Sequence, residues 1–339
     1  FSGIGGVYNG EIDNAALVTV SAAGAYTLGG PIKATDFKID GAATAVASTG
    51  PIEAKVTYLN AGTLVSEGNI TGDVDFNNVD GALTLGNNAG GVTLDGDVTN
   101  NAGAAGTVNF VGAGDLLVTG DVGSGLVANG NELHSISFNN AGNAKIEGVA
   151  SATYLTIDNV GADVTVDGII NALVTYTANG KLRANNGIQG VVALDDTSGI
   201  LEVGSLTGVT GGVTAAGGAG KATLIFVGNG NTSVGGSTGA AEAQGEALGF
   251  NHLLLVDAQH TGAAVMVGNV YAKTLQISEA GAQVNLNGAG PGALTGDLKF
   301  AANGKVFVAD NGTITGDVDN TFGDTPTGRL EFVGIGAID

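Results

Sequence analysis

The sequence predicts an all-β protein, a single-stranded parallel β-helix of about 13–15 rungs, each of roughly 18–28 residues. Three observations predict it: polar and apolar residues alternate in short triplets, the triplets recur periodically, and Gly-Asp corners recur with them.

The period is clearest in the middle of the chain. Residues 144–157 (AKIEGVASATYLTI), 164–176 (VTVDGIINALVTY) and 182–194 (LRANNGIQGVVAL) share one plan. Each has an alternating triplet, a turn around Gly, a second alternating triplet and a polar stretch. Alternation with a period of two means strands, because successive side chains leave opposite faces of an extended backbone. In Val164-Thr165-Val166 the valines share one side and the threonine takes the other. Tyr26-Thr27-Leu28, Val56-Thr57-Tyr58, Leu83-Thr84-Leu85, Val92-Thr93-Leu94 and Val284-Asn285-Leu286 follow the same pattern.

The corners form a second register. Thr71-Gly72-Asp73-Val74, Asp95-Gly96-Asp97-Val98 and Thr119-Gly120-Asp121-Val122 are spaced by 24 residues, and Thr295-Gly296-Asp297-Leu298 and Thr315-Gly316-Asp317-Val318 by 20. Glycine supplies the positive φ of a sharp corner, and the following apolar residue returns inward. A propeller blade needs about 40–50 residues, and a meander needs Asn-Gly hairpin turns between adjacent strands, which are scarce here. Near-identical short units fit a stack whose neighbours are copies. Residues 1–339 are therefore expected to form one continuous solenoid, a rod about 60–70 Å long at ~4.8 Å per rung. Two Gly/Ala-rich stretches near 204–220 and 233–250 break the period and are expected to be inserted loops. Residues 239–249 are the one segment with a short-helix composition.

Composition agrees with this fold and narrows the function. With 61 Gly, 4 Pro, no Cys, no Trp and 43% hydrophobic residues, the core is expected to be filled by small and branched side chains rather than aromatic ones. Only 13% of residues are charged and the net charge is −21. Phosphate binding needs clustered Lys and Arg, yet the arginines are only Arg183 and Arg329, so nucleic acid is an improbable partner. No run reaches the ~18–20 apolar residues of a spanning helix, and the strand lengths and aromatic girdles of a membrane barrel are missing, so direct membrane insertion is not expected. Lack of cysteine removes disulfides, thiol catalysis and thiolate metal sites. The chain starts at Phe1 with neither an initiator Met nor a leader pattern, as expected of a processed or excised segment.

The Gly/Asn/Thr/Val-rich runs 83–98 (LTLGNNAGGVTLDGDV), 106–112 (GTVNFVG) and 135–142 (SISFNNAG) resemble the passenger domains of bacterial autotransporters. The group most similar in style is that of the rickettsial outer membrane protein B and surface cell antigens. This resemblance implies a right-handed β-helix displayed at the bacterial cell surface as a surface layer and adhesin. The family's C-terminal translocator barrel is not seen in this sequence, which stops at Asp339.

Candidate chemistry is sparse, and no catalytic, cofactor-binding or metal-binding residue is assigned. His134, His252 and His260 sit in different rungs without metal or triad spacing. Stacked corners would bring Asp73, Asp97 and Asp121 together, and Asp297 with Asp317. Such carboxylates are either solvated turn residues or ligands of a hard cation such as calcium. A polysaccharide-active β-helix enzyme needs clustered acids with basic residues for an anionic substrate, and the few lysines are thinly spread. The Asn pairs 77–78, 87–88, 139–140 and 185–186 read as ladder or left-handed turn positions. The sequons at Asn69, Asn231 and Asn311 are too short a signal to assign glycosylation. Outward threonines occur singly between apolar residues, unlike the paired rows of ice-binding solenoids. The function expected is therefore a non-catalytic extracellular surface protein, an adhesin or surface-layer scaffold. Its expected partners are neighbouring copies, other envelope proteins, or a host receptor or glycan. The alternatives are a self-assembling layer or filament subunit, and the polysaccharide enzyme.

Overall fold

The computed structural model describes residues 1–3, 5–86, 90–101, 103–123, 132–194, 198–204, 208–215, 222–228, 232–238, 255–287, 293–320 and 328–333. Every regular element among them is a strand, and parallel strands stack as a β-solenoid of about 13 turns. The expected fold class is what is found. The chain divides into two compact units, Phe1–Leu173 and Val174–Asp339.

In the first unit, one sheet stacks the strands Gly24–Leu28, Thr44–Ser48, Thr63–Ser66, Ala82–Leu85, Thr107–Gly112, Leu133–Asn140 and Ala150–Ile157. Their register is in phase, so Leu64, Leu83, Val108, Ile136 and Leu155 form one inward column. Leu85, Phe110, Phe138 and Ile157 form a second. All of these side chains are fully buried. The other sheet carries the longer strands Ile12–Val20, Ile32–Ile39 and Ile52–Tyr58, then shorter pieces from Ile70–Thr71 to Asp163–Val166. Bulges at Ile12/Ala15 and Lys33/Asp36 interrupt its first strands.

The second unit repeats the plan. Leu182, Leu201 and Leu224 are stacked partners, as are Ala184, Val203 and Phe226. A five-stranded sheet aligns Val234, Met266, Leu286 and Val308. Parts of both stretches that break the sequence period are paired strand: Val213–Thr214 pairs with Val192–Ala193, and Thr232–Val234 pairs with Ala263–Met266. Residues 205–207, 216–220 and 239–250, including the short-helix candidate, lie outside the described residues.

The core departs from expectation in one respect. Aliphatic columns dominate, but Phe37, Phe76, Phe110, Phe138, Phe226 and Phe300 are also inside. Phe110 and Phe138 stack at 4.6 Å and 18°, and Tyr58 and Phe76 at 4.7 Å and 26°. In-register parallel pairing makes like residues meet, and for aromatic rings that contact exceeds simple area burial. Few aromatics in the composition therefore does not mean few in the core.

Burial of two phenols gives the fold an alkaline limit. Tyr58 donates to the Ala82 carbonyl and Tyr176 to the Ile200 carbonyl, each at 2.9 Å. Burial holds both phenols well above the ordinary tyrosine pKa, because the phenolate would lose its hydration. The unfolded chain releases these protons from about pH 10 upward while the folded chain keeps them. Their contribution is thus intact below pH ~10 and is lost as pH rises beyond it. Absorbance titration of tyrosinate, followed with circular dichroism, should show both groups ionising only as the β signal collapses. Ionisation of all six tyrosines near pH 10 with the β signal intact would contradict this.

Candidate functional site

The corner aspartates come together as the spacing predicts, and the carboxylates of Asp73, Asp97, Asp121 and Asp297 each acquire a partner. The Asp73 carboxylate accepts the Asp97 amide N–H at 3.0 Å, Asp97 accepts that of Asp121 at 2.8 Å, and Asp121 accepts that of Val149 at 2.7 Å. In the second unit Asp297 accepts the Asp317 amide at 3.0 Å. Neighbouring polar residues extend the pattern: Asn69 accepts the Thr93 amide, and Asp95 accepts the Thr119 hydroxyl. Each turn thus satisfies the corner amide of the next, so the carboxylates serve as a ladder between rungs. Among the described residues no three His, Cys, Asp or Glu side chains group so as to hold a metal ion.

The glycine before the aspartate meets two demands at Gly72, Gly96, Gly296 and Gly316, whereas Gly120 lacks the expected positive φ and meets only the packing one. Gly72 has φ +129° and Gly296 φ +138°, both in the region side chains avoid. A Cβ on Gly72 would also lie 2.5 Å from the Ala54 carbonyl oxygen of the preceding rung. The following residue turns inward as expected at Val74, Val98, Val122 and Leu298, all fully buried. Val318 does not; it is 51% exposed, and the residues that follow its rung, 321–327, lie outside those described.

Replacing Asp97 by Ala should cost about 0.5–1.5 kcal/mol, the value of one charge-assisted hydrogen bond discounted because water can reach the freed amide. Asp97→Asn keeps an acceptor and should cost less. Urea titration of the two variants reads the difference; equal losses would mean the carbonyl-type acceptor is irrelevant.

Among the described residues the remaining candidates do not converge. His134 is exposed and meets Tyr154 edge-on at 5.8 Å. His252 lies outside the described residues, and His260 ends the strand Leu255–His260. Asn77 and Asn78 take φ of 47° and 61°, the left-handed positions expected. Asn139 belongs to a ladder, accepting from Asn159, while Asn185 accepts from Arg183. Asn87, Asn88 and the sequon at Asn231 lie outside the described residues. Lys145 bridges Asp167 at 2.9 Å and Glu147 at 3.0 Å, and these partners raise its pKa, Asp167 foremost.

One feature escapes a reading of single triplets. On the sheet beginning with Gly24–Leu28, outward residues align as two columns. One column is Thr27, Ala47, Val65, Thr84, Asn109, Ser137 and Thr156; the other is Ala25, Ala45, Thr63, Ala82, Thr107, Ser135 and Tyr154. None of the seven strands contains Asp, Glu, Lys or Arg. The neighbouring sheet of the same rungs carries Lys33, Asp36, Glu53, Lys55, Asp75 and Lys145. The signal was present in the uncharged middle residues of the triplets, but it becomes a surface only when the rungs stack.

Over 96% of its length the chain is 30% identical to Outer membrane protein A of Rickettsia rickettsii, in an alignment of 384 residues. That likeness and the β-solenoid fit an autotransporter passenger-like protein. The expected likeness to rickettsial outer-membrane surface proteins is thereby found, here with protein A. The chain spans 16% of the length of that relative. No family model and no solved structure matches it.

Proposed function

We propose that the chain is a non-catalytic segment of a bacterial cell-surface protein, a β-solenoid scaffold that carries adhesive and inter-subunit contacts outside the outer membrane. The observation that carries this reading is the likeness to a rickettsial outer membrane protein along nearly the whole solenoid. The described side chains fit it. The carboxylates of Asp73, Asp97 and Asp121 are engaged with backbone amides of the next rung, and among the described residues no three His, Cys, Asp or Glu side chains gather.

The test is made on intact cells producing the full-length parent protein. Antibodies against this segment should label unpermeabilised cells, and external protease should remove the label. Purified chain should bind host cells saturably and release no reducing sugar from acidic polysaccharides. Label that appears only after permeabilisation would overturn the surface assignment, sugar release the non-catalytic one, and failure to bind host cells the adhesive one. A second reading, a layer subunit without host ligand, is favoured by the uncharged sheet face and shares the surface assignment.

A further inference from the structure

We infer that the outward face of the five-stranded sheet in the second unit is a saccharide-binding site, with the Phe307 ring as its platform and a row of three amides as its hydrogen-bonding edge. The inference rests on the adhesive reading above and names a class of ligand for it. In the strand Lys305–Ala309 exposed and buried residues alternate, so Phe307 points outward between the buried Val306 and Val308. Parallel pairing sets Asn285 beside Phe307 on one neighbouring strand and Glu331 beside it on the other. Gln283 and Asn287 occupy the outward positions on either side of Asn285. Gln283, Asn285, Asn287, Phe307, Ala309 and Val333 line a shallow groove of about 360 Å³. Small-molecule sites usually measure roughly 300–1,000 Å³.

The lining selects the ligand. A phenyl face carries partial negative charge and attracts the weakly positive C–H groups on the flat of a sugar ring, as it attracts the edge of another aromatic ring. A sugar hydroxyl both donates and accepts, and so does a side-chain amide, whereas an ammonium only donates and a carboxylate only accepts. All three outward positions from Gln283 to Asn287 are amides. Gln283 donates to the Asn285 Oδ1 at 3.1 Å, which orients both groups and leaves the Asn285 NH2 and the Gln283 carbonyl oxygen for a ligand. A pyranose lying on Phe307 meets a C–H surface beneath it and a donor-acceptor edge one strand away.

Other occupants fit less well. A wholly apolar ligand would cut three amides off from water without replacing their hydrogen bonds. A simple anion would leave the amide acceptors unused, and Arg329 beside the site is already paired with Glu331. That pairing also withholds Glu331 from a metal ion, which needs several oxygen ligands. Ring and amides lie on strands one step of ~4.8 Å apart. This is the scale of a sugar ring rather than of a protein interface, which needs about 800 Å² per partner. Lys305 stands exposed at the rim.

The test uses the full chain and, as probes, the methyl glycosides of glucose, galactose, mannose and N-acetylglucosamine at millimolar concentration. Saturation-transfer NMR should show at least one glycoside receiving magnetisation, most strongly at its ring C–H protons. Phe307→Ala should weaken binding of that glycoside at least about tenfold, through loss of the stacked face, while Phe307→Tyr keeps the ring and should retain it. Asn285→Ala should weaken it about three- to tenfold, the worth of one or two hydrogen bonds, and Thr84→Ala in the first unit should leave it unchanged. Circular dichroism checks that each variant is folded; Asn285→Ala, which removes only an outward amide, carries the test if Phe307→Ala is not. Transfer to none of the four glycosides, or transfer undiminished in the folded variants of Phe307 and Asn285, would overturn the inference. Binding of acetate or inorganic phosphate in place of every glycoside would mark an anion site on Lys305 and overturn it too. Host-cell binding and surface labelling are read separately on the unsubstituted chain, so cell binding retained without sugar binding refutes this site alone and leaves the adhesive reading standing.

Discussion

Phe138→Ala should lower the unfolding free energy by about 3–5 kcal/mol, the largest effect expected from a single truncation in the first unit. Phe138 is fully buried, stacks on Phe110 and lies in register with Ile157. Its removal takes away apolar burial and the ring contact, and leaves a cavity that flat neighbouring rungs cannot easily fill. Phe138→Leu retains most of the volume and should lose much less. Because each rung touches mainly its neighbours, hydrogen exchange should accelerate first in Thr107–Gly112, Leu133–Asn140 and Ala150–Ile157. Uniform acceleration through the unit would show that cooperativity extends beyond nearest neighbours.

Gly72→Val should be comparably damaging, at roughly 2–6 kcal/mol. Backbone strain at its positive φ accounts for about 1–3 of this, and overpacking against the Ala54 carbonyl for a similar amount. Two other glycines separate the contributions. Gly281 has φ +85° with open space around its hypothetical Cβ, so Gly281→Ala reads strain alone. A Cβ on Gly168 would lie 2.3 Å from the Gly148 carbonyl oxygen, and Gly168 has no positive φ, so Gly168→Ala reads the clash alone. Denaturant unfolding should rank Gly72→Val as the most harmful of the three. A Gly72 variant as mild as Gly281→Ala would mean the rungs can part at that corner.

Much of this structure was legible in local sequence because the solenoid is built from local repeats. The Val-Thr-Val triplet at 164–166 faces inward and outward as its alternation dictates, and Ala144 and Ile146 stack on Val164 and Val166. The Thr-Gly-Asp corners were legible for the same reason. What they bond to was not, since the donor amide lies 20 to 28 residues away on the next rung, and composition alone suggested repulsion or a cation. The aromatic stacks and the uncharged face were hidden similarly. Phe110 and Phe138 are ordinary inward residues until register brings them together, and Thr84, Asn109 and Ser137 are ordinary outward ones. Charge segregation between sheets is a property of register, so it appears only when outward positions are collected sheet by sheet.

The ladder of stacked rungs carries every one of these conclusions, and distances along one outward column test it most directly. Thr27, Ala47, Val65, Thr84, Asn109, Ser137 and Thr156 are successive register partners. Spin labels at Thr27→Cys paired in turn with Asn109→Cys, Ser137→Cys and Thr156→Cys should report separations near 19, 24 and 29 Å, rising by about 4.8 Å per strand despite unequal sequence gaps. Separations that follow the sequence gaps, or that shorten between the second and third pair, would contradict the parallel in-register stack.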